Sequence, residues 1–351
     1  MKIKLAVFGS PILHSLSPII FNKFFSISKD DGEYVRIHED NPEMAVQTMK
    51  DMELTAASIT SPLKKSIIEH LDEISHDAKQ IGAVNTIIKK GKLLTGHNTD
   101  WIGVKNLIKR YENEEGVTSK FTSALVIGAG GASHAVIYAL KDLGIEPTIV
   151  NRTLNRAKEL AKKYECSHIP IKKLPKEIQK HRLVISTIPD TSEVLKYLAL
   201  TSDHVLFDAN YKNPGNLLSQ LKQKPRLITG KQWLLEQALY AFELILSKKA
   251  PCINNLILNK KDLVERIQHG TIDIDGDDTE LIQNIRQKLC PLILGTIKNE
   301  EYAQLRKVHF WVGRPGPSLN FSEMDMYLNP MRKNPHEMAR IILSEFNQLY
   351  T

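Results

Sequence analysis

Two lysines stand near the end of the segment ASITSPLKKS, and the first, Lys64, falls where a helix is expected to begin. Apolar residues at Ile67, Ile68, Leu71 and Ile74 predict a helix running on from Pro62, whose missing N–H suits a first helical position. The first turn carries the positive end of the helix dipole and disfavours a cation. Lys64 therefore stands where its charge needs a reason. In HSLSP, Ser15 and Ser17 are two apart and share an orientation if the segment is extended. Two such hydroxyls can hold a carboxylate, although a helix cap and a turn use the same residues. Asn85 in AVNT, and Asn98, Thr99 and Asp100 in GHNTD, are each ordinary turn residues when taken alone.

A second chemistry is written in GAGGAS, residues 128–133, between a predicted strand and a predicted helix. Gly128 allows a tight turn, Gly130 lets the backbone approach a pyrophosphate, and Gly131, Ala132 and Ser133 open the helix whose N-terminus would face phosphates. Ser133 takes the place of the usual third glycine or alanine and is still small. The next strand ends in VNRTLNR rather than in the acid that binds a ribose diol. Asn151 is neutral, and Arg152, Thr153 and Arg156 supply two cations and a hydroxyl. That set suits a 2′-phosphate, hence NADP; the alternative use is a solvated basic helix start.

These residues need an α/β scaffold, and the apolar patterning supplies one. IKLAVFG, YVRIH and AASIT read as strands, SPIIFNKFFSIS and PEMAVQTMKDM as helices, and AVNTIIKKGKLLTGHN as a hairpin. RYENEEGVTSKFT reads as a surface connection. Beyond it come strand, glycine turn and helix in SALVIGAGGASHAVIYALKDLG, then the strand PTIVNRT, the helix NRAKELAKKY, and the strands LVISTIP and HVLFDANY. This order predicts a parallel, doubly wound sheet. The apolar helix KQWLLEQALYAFELILSKK follows.

Composition narrows the function classes. The chain has 351 residues, 42% hydrophobic and 25% charged, as in ordinary globular proteins. Its net charge of +7 is spread among acids, with 10 Lys and Arg against 12 Asp and Glu from Glu265 onward, so the excess lies in the first 264 residues. Scattered basicity suits small anionic ligands at least as well as nucleic acid. Cys166, Cys252 and Cys290 are far apart and odd in number, which argues against a disulfide framework and a zinc site. No apolar run approaches membrane-spanning length, and the first residues make no signal-peptide core, so a cytoplasmic protein is expected.

Taken together, VFGSPILHSLSP, SITSPLKK, IGAVNTI, GHNTDWIG, VIGAGGAS, NRT and EQALYAFE resemble, in order and rough spacing, the shikimate dehydrogenase family, which includes shikimate and quinate dehydrogenases. The resemblance covers residues 3–250. It implies a substrate domain from residues 1–104 and 233–262, an NADP-binding Rossmann domain from 105–232, and a C-terminal extension, 263–351, without a counterpart. By the same resemblance, Ser15 and Ser17 bind a carboxylate, Thr60, Asn85, Asp100 and Gln237 hold ring hydroxyls, and Tyr211 in DANYKNP lines the site. Lys64 is the acid/base group, paired with Asp100. Its place at a helix start then reads as tuning for proton transfer, with Asp100 opposing the dipole and fixing direction. Lys65 has no such role.

The implied reaction is NADP-dependent interconversion of 3-dehydroshikimate and shikimate. Alternatives on the same scaffold are a quinate or aminoshikimate-type dehydrogenase and a sensor that binds a shikimate-like ligand without turnover. The partners expected are a cyclic hydroxy acid and, at most, a second copy in a homodimer, with neither nucleic acid nor membrane. Four positions depart from the common bacterial pattern: Ser58 stands where Asn is usual, Ile185 in VISTIP replaces a frequent Asn of an NAT motif near the cofactor, and Gln232 and Trp233 replace a Gly-Met pair near nicotinamide. In the extension, DIDGDDTE lacks the Gly and Glu of a calcium loop and reads as an acidic cap. VGRPGPS reads as a rigid turn, and Ile341, Ile342 and Phe346 lie on a helix face that needs burial.

Overall fold

The structure, a computed structural model, describes residues 2–12, 14–113, 120–188, 194, 198–210, 224–251, 310–312 and 326–328. Contacts divide the chain into two compact units. The first comprises Met1–Ser75, Val84–His97 and the described residues from Ile245 onward; the second comprises His76–Ala83 and Asn98–Leu244.

The first unit is built on β1 (Ile3–Gly9), α1 (Ser17–Ser28), β2 (Gly32–His38), α2 (Pro42–Asp51) and β3 (Ala56–Ile59). It continues through α3 (Leu63–Ser66), β4 (Glu73–Ile74), β5 (Thr86–Lys90) and β6 (Leu93–His97). β2 and β3 flank β1 in parallel, and β5 and β6 extend the sheet antiparallel. α1 forms over the residues its pattern predicts: Pro18 is in the first turn, and Ile20, Phe21, Phe24 and Phe25 make one buried face. Two short strands from the C-terminal region, Phe310–Val312 and Met326–Leu328, add in parallel beyond β2.

The second unit contains α4 (His76–Ile81), α5 (Asp100–Glu112), β7 (Ser123–Ile127), α6 (Gly131–Asp142), β8 (Glu146–Asn151), α7 (Leu154–Tyr164) and β9 (Ser167–Pro170). It is completed by α8 (Leu174–Glu177), β10 (Leu183–Ser186), β11 (Val205–Asp208), β12 (Arg226–Thr229) and α9 (Gly230–Leu246). Its strands lie in the order β12-β11-β10-β7-β8-β9, all parallel. Counted from β7, this is the 3-2-1-4-5-6 order of a doubly wound dinucleotide-binding sheet, and the direction of winding switches between β7 and β10. Strand β7 is apolar on both sides because both faces are covered. Ala124 and Val126 pack into one core cluster, Leu125 and Ile127 into the other.

Three local expectations are corrected. The helix expected from Pro62 is a single α turn, Leu63–Ser66, followed by a 3-10 turn, Ile67–His70; Leu71 is extended and Ile74 lies in β4, paired with Gly96. Pro62 stands just before the turn rather than in it. The residues expected to begin a surface connection, Arg110, Tyr111 and Glu112, are the last turn of α5. Strands β9 and β12, both at sheet edges, go beyond the expected set. The acidic turn, the VGRPGPS loop and the last helix of the extension fall outside the described residues. Among the described residues no helix is long and apolar enough to cross a membrane.

Candidate functional site

In the first unit the polar residues singled out by sequence gather where β1 and β3 end, the side of an open α/β sheet that binds ligands. Gly9 closes β1 against the turn that follows β3. A Cβ at Gly9 would overlap the Thr60 methyl group and come within 2.8 Å of the Ser61 carbonyl oxygen. Thr60 N–H donates to Phe8 O at 2.9 Å and Ser10 N–H to Ser61 O at 3.0 Å, so the two strand ends are laced together. Gly9→Ala is therefore expected to push the Thr60 loop aside and to cost about 1–3 kcal/mol of stability. An unchanged Tm would contradict this packing argument.

Lys64 and Asn85 are joined through backbone contacts. Val84 N–H donates to Lys64 O at 2.8 Å, and Asn85 O accepts from Ile59 N–H at 2.8 Å. Asn85 is buried, and its Oδ1 accepts the Thr86 hydroxyl at 3.1 Å. Lys64 is half-buried and Lys65 exposed, a difference that one helical turn produces by itself. Lys64 does not face a helix dipole as expected: four α residues and a 3-10 turn align too few peptides to sum to a macrodipole.

Ser15 and Ser17 are both buried, but the segment is not extended as expected. Leu16 has φ −92° and ψ −2°, so the chain turns into α1, and Ser17 N–H reaches Ser15 Oγ at 3.4 Å. A turn, not a strand, brings the serines together. Beneath them the fully buried Arg36 of β2 donates from Nε at 3.0 Å and from Nη2 at 2.6 Å to Ser15 O. Arg36 was not among the residues singled out by sequence; a charged residue inside the apolar run YVRIH was the available signal.

In the second unit, Asp100 is the first residue of α5, where the helix terminus favours a carboxylate. Asn98 orients it. Its Oδ1 accepts from Asp100 N–H at 3.1 Å, while its Nδ2 donates to Ala83 O at 2.9 Å. Gln237 of α9 is oriented from α5, with Thr99 Oγ1 donating to its Oε1 at 3.0 Å and its own Nε2 donating to Leu234 O at 2.9 Å. Trp233 Nε1 donates to Asp100 O at 2.8 Å, and Gly103 leaves room for that contact, since a Cβ there would lie 2.8 Å from the indole Cδ1. Trp233 is buried against Phe207. It braces the start of α5. Gln232 accepts from Thr229 N–H at 2.7 Å and caps the start of α9. Both departures from the Gly-Met pattern thus have local packing or capping roles.

The glycine turn sits at the switch between β7 and β10. Gly128 has φ +114°, which glycine tolerates, and a Cβ there would overlap Thr187 Oγ1. Its N–H donates to Val150 O at 2.8 Å. Space next to Gly130 and Gly131 is open, with nothing within 4 Å of an added Cβ, so a phosphate could approach the backbone there. Ser133 does more than pack. Fully buried, its hydroxyl accepts Gly130 N–H at 3.1 Å and lies 2.7 Å from Thr187 Oγ1. This leaves the amides of Gly131 and Ala132, at the start of α6, as the first-turn donors for an anion. Thr187 was missed from sequence because its partner is 54 residues away.

At the end of β8, Asn151 Nδ2 donates to Thr153 O at 2.9 Å and shapes the turn into α7. Arg152, Thr153 and Arg156 are exposed on that turn. The composition fits a 2′-phosphate. Tyr211 lies outside the described residues.

Residues 7–87 match the family described as Shikimate dehydrogenase substrate binding domain, and residues 112–204 match Shikimate / quinate 5-dehydrogenase. A relative from Carboxydothermus hydrogenoformans, named Shikimate dehydrogenase (NADP(+)), is 34% identical over 254 residues, covering 68% of this chain and 89% of its own. The crystal structure of shikimate dehydrogenase from Aquifex aeolicus superimposes with TM-score 0.64 at 31% identity, over 76% of this chain and 97% of that one. The Thermus thermophilus enzyme, solved in complex with NADP(H) and shikimate, gives TM-score 0.60 at 26% identity, over 71% and 95%.

Proposed function

Because the chain belongs to the shikimate dehydrogenase family, we propose that it interconverts 3-dehydroshikimate and shikimate with NADP. The observation that best supports this is the gathering of Ser15, Ser17, Thr60, Lys64 and Asn85 at the strand ends of the first unit. These groups come from separate segments and offer what a cyclic polyol acid needs: two hydroxyls for a carboxylate, further polar groups for ring hydroxyls, and an amine for a proton. Asp100 and Gln237, held in place by Asn98 and Thr99, add a carboxylate and an amide for the same ring. Tyr211 completes the proposed lining. We assign substrate binding to residues 1–104 and 233–262, and cofactor binding to residues 105–232.

NADP supplies the hydride acceptor or donor. Gly128, Gly130, Gly131, Ala132 and Ser133 would receive its pyrophosphate, and Asn151, Arg152, Thr153 and Arg156 its 2′-phosphate. In the oxidising direction Lys64 takes the proton of the ring hydroxyl as the hydride leaves the same carbon, and in the reducing direction it returns that proton. Asp100 orients the amine and the hydroxyl. Incubation of the purified chain with 3-dehydroshikimate and NADPH should consume both in equal amounts. Binding of the ring acid with no consumption of NADPH would favour the sensor.

A further inference from the structure

Tyr34 occupies the middle of β2 with 1% of its surface exposed. Its ring stacks on Phe21 of α1, with centroids 4.6 Å apart and planes inclined by 29°. Its backbone exchanges hydrogen bonds with the Asn22 side chain, N–H to Oδ1 at 2.9 Å and Nδ2 to O at 3.0 Å. Ring stacking and backbone bonds thus both hold Tyr34 against α1. Its hydroxyl is buried and has no hydrogen-bond partner among the described residues. Burial pushes its pKa up, so at neutral pH it is an O–H donor; the nearby Ser58 and Ser17 hydroxyls and the Arg36 charge oppose that shift. The two serines flank the phenol oxygen without either closing a bond of normal geometry.

Strand register explains the company it keeps. Tyr34 pairs with Leu5 and Leu5 with Ala56, while Arg36 pairs with Val7 and Val7 with Ser58. Tyr34, Arg36 and Ser58 therefore share one face of the sheet, the face that α1 covers. Arg36 holds the Ser15 carbonyl from that face. Phenylalanine would fill the Tyr34 site without leaving a buried polar atom unpaired, so packing alone gives no reason for the hydroxyl.

We infer that Tyr34 is a positioning residue of the carboxylate subsite: its hydroxyl donates to Ser17 Oγ once the Ser17 O–H has turned toward the carboxylate of the bound ring acid. A chain from Tyr34 O–H through Ser17 O–H to the carboxylate polarises the second bond and strengthens it. The two alternate residues of β2 then hold the two serines from below, Arg36 through the Ser15 carbonyl and Tyr34 through the Ser17 hydroxyl. This inference rests on the reading of Ser15 and Ser17 as the carboxylate clamp.

Steady-state kinetics of the full chain with Tyr34→Phe, Ser17→Ala and both changes test it. Tyr34→Phe should raise KM for shikimate about 5- to 20-fold, the loss of one hydrogen bond, with kcat and KM for NADP+ unchanged. In the Ser17→Ala background the same change should have little further effect. A raised KM in Ser17→Ala with none in Tyr34→Phe overturns the inference and leaves the clamp standing. Absence of any effect in Ser17→Ala overturns both. A Tyr34→Phe protein that loses kcat, both KM values and Tm together would mark the hydroxyl as structural only.

Discussion

Lys64→Ala should lower kcat by about 10² to 10⁴, the usual range for removal of a general acid/base, while Lys65→Ala stays near wild type. The two lysines are neighbours of the same charge, so a general electrostatic effect would damage both alike. Their surroundings differ. Lys64 is half-buried with its backbone tied to Val84, next to Asn85, and Lys65 faces solvent. Affinity for shikimate should fall much less than turnover in Lys64→Ala, because Ser15, Ser17, Thr60, Asn85 and Gln237 would still hold the ring. Asp100→Asn should also slow turnover, and the double variant should lose less than the sum, as expected for groups acting on one proton. Equal losses in Lys64→Ala and Lys65→Ala would remove Lys64 from its role.

Replacing Arg152 and Arg156 with neutral residues should weaken NADP far more than NAD. Each charge-assisted contact to a 2′-phosphate contributes about 1–3 kcal/mol, so KM for NADP+ should rise by about 5- to 150-fold for each arginine lost. Both side chains are exposed at the turn between β8 and α7, and neither change should disturb the core. No acid stands at position 151 to favour a ribose diol. An unchanged KM for NADP+ in the double variant would show that the 2′-phosphate is held elsewhere.

Much of the scaffold is legible from sequence because it depends on local pattern. SPIIFNKFFSIS forms α1 over Ser17–Ser28, since Pro18 and a periodic apolar face agree on start and phase. SALVIGAGGAS forms β7, the glycine turn and the start of α6 for a similar reason: an apolar run buried on both faces, then a glycine at positive φ. Where periodicity and length disagree, the reading fails. Ile67, Ile68, Leu71 and Ile74 are spaced as on a helix, yet Ile74 is drawn into pairing with β6 and the helix stops after one turn. Strands β9 and β12 hide because edge strands are partly solvated and carry polar residues such as Ser167 and Arg226.

The site follows the same division. Residue types within one motif can be read, and the contacts that aim them cannot. Thr99 and Gln237 are 138 residues apart, Trp233 reaches the Asp100 carbonyl across 133, and Arg36 holds Ser15 across 21. Nothing in GHNTD says that Asn98 and Thr99 orient their neighbours rather than make a turn. The unpaired hydroxyl of Tyr34 is visible only once β2 and α1 are packed together.

One set of initial rates decides whether this chain is an NADP-dependent shikimate dehydrogenase: reduction of NADP+ and of NAD+ by the purified chain, each with shikimate and with quinate. Rapid reduction of NADP+ with shikimate is expected, with NAD+ and quinate each far poorer. Efficient turnover of quinate, or a preference for NAD+, would contradict the substrate or cofactor assignment, and shikimate binding with no reduction of either nucleotide would contradict the enzyme.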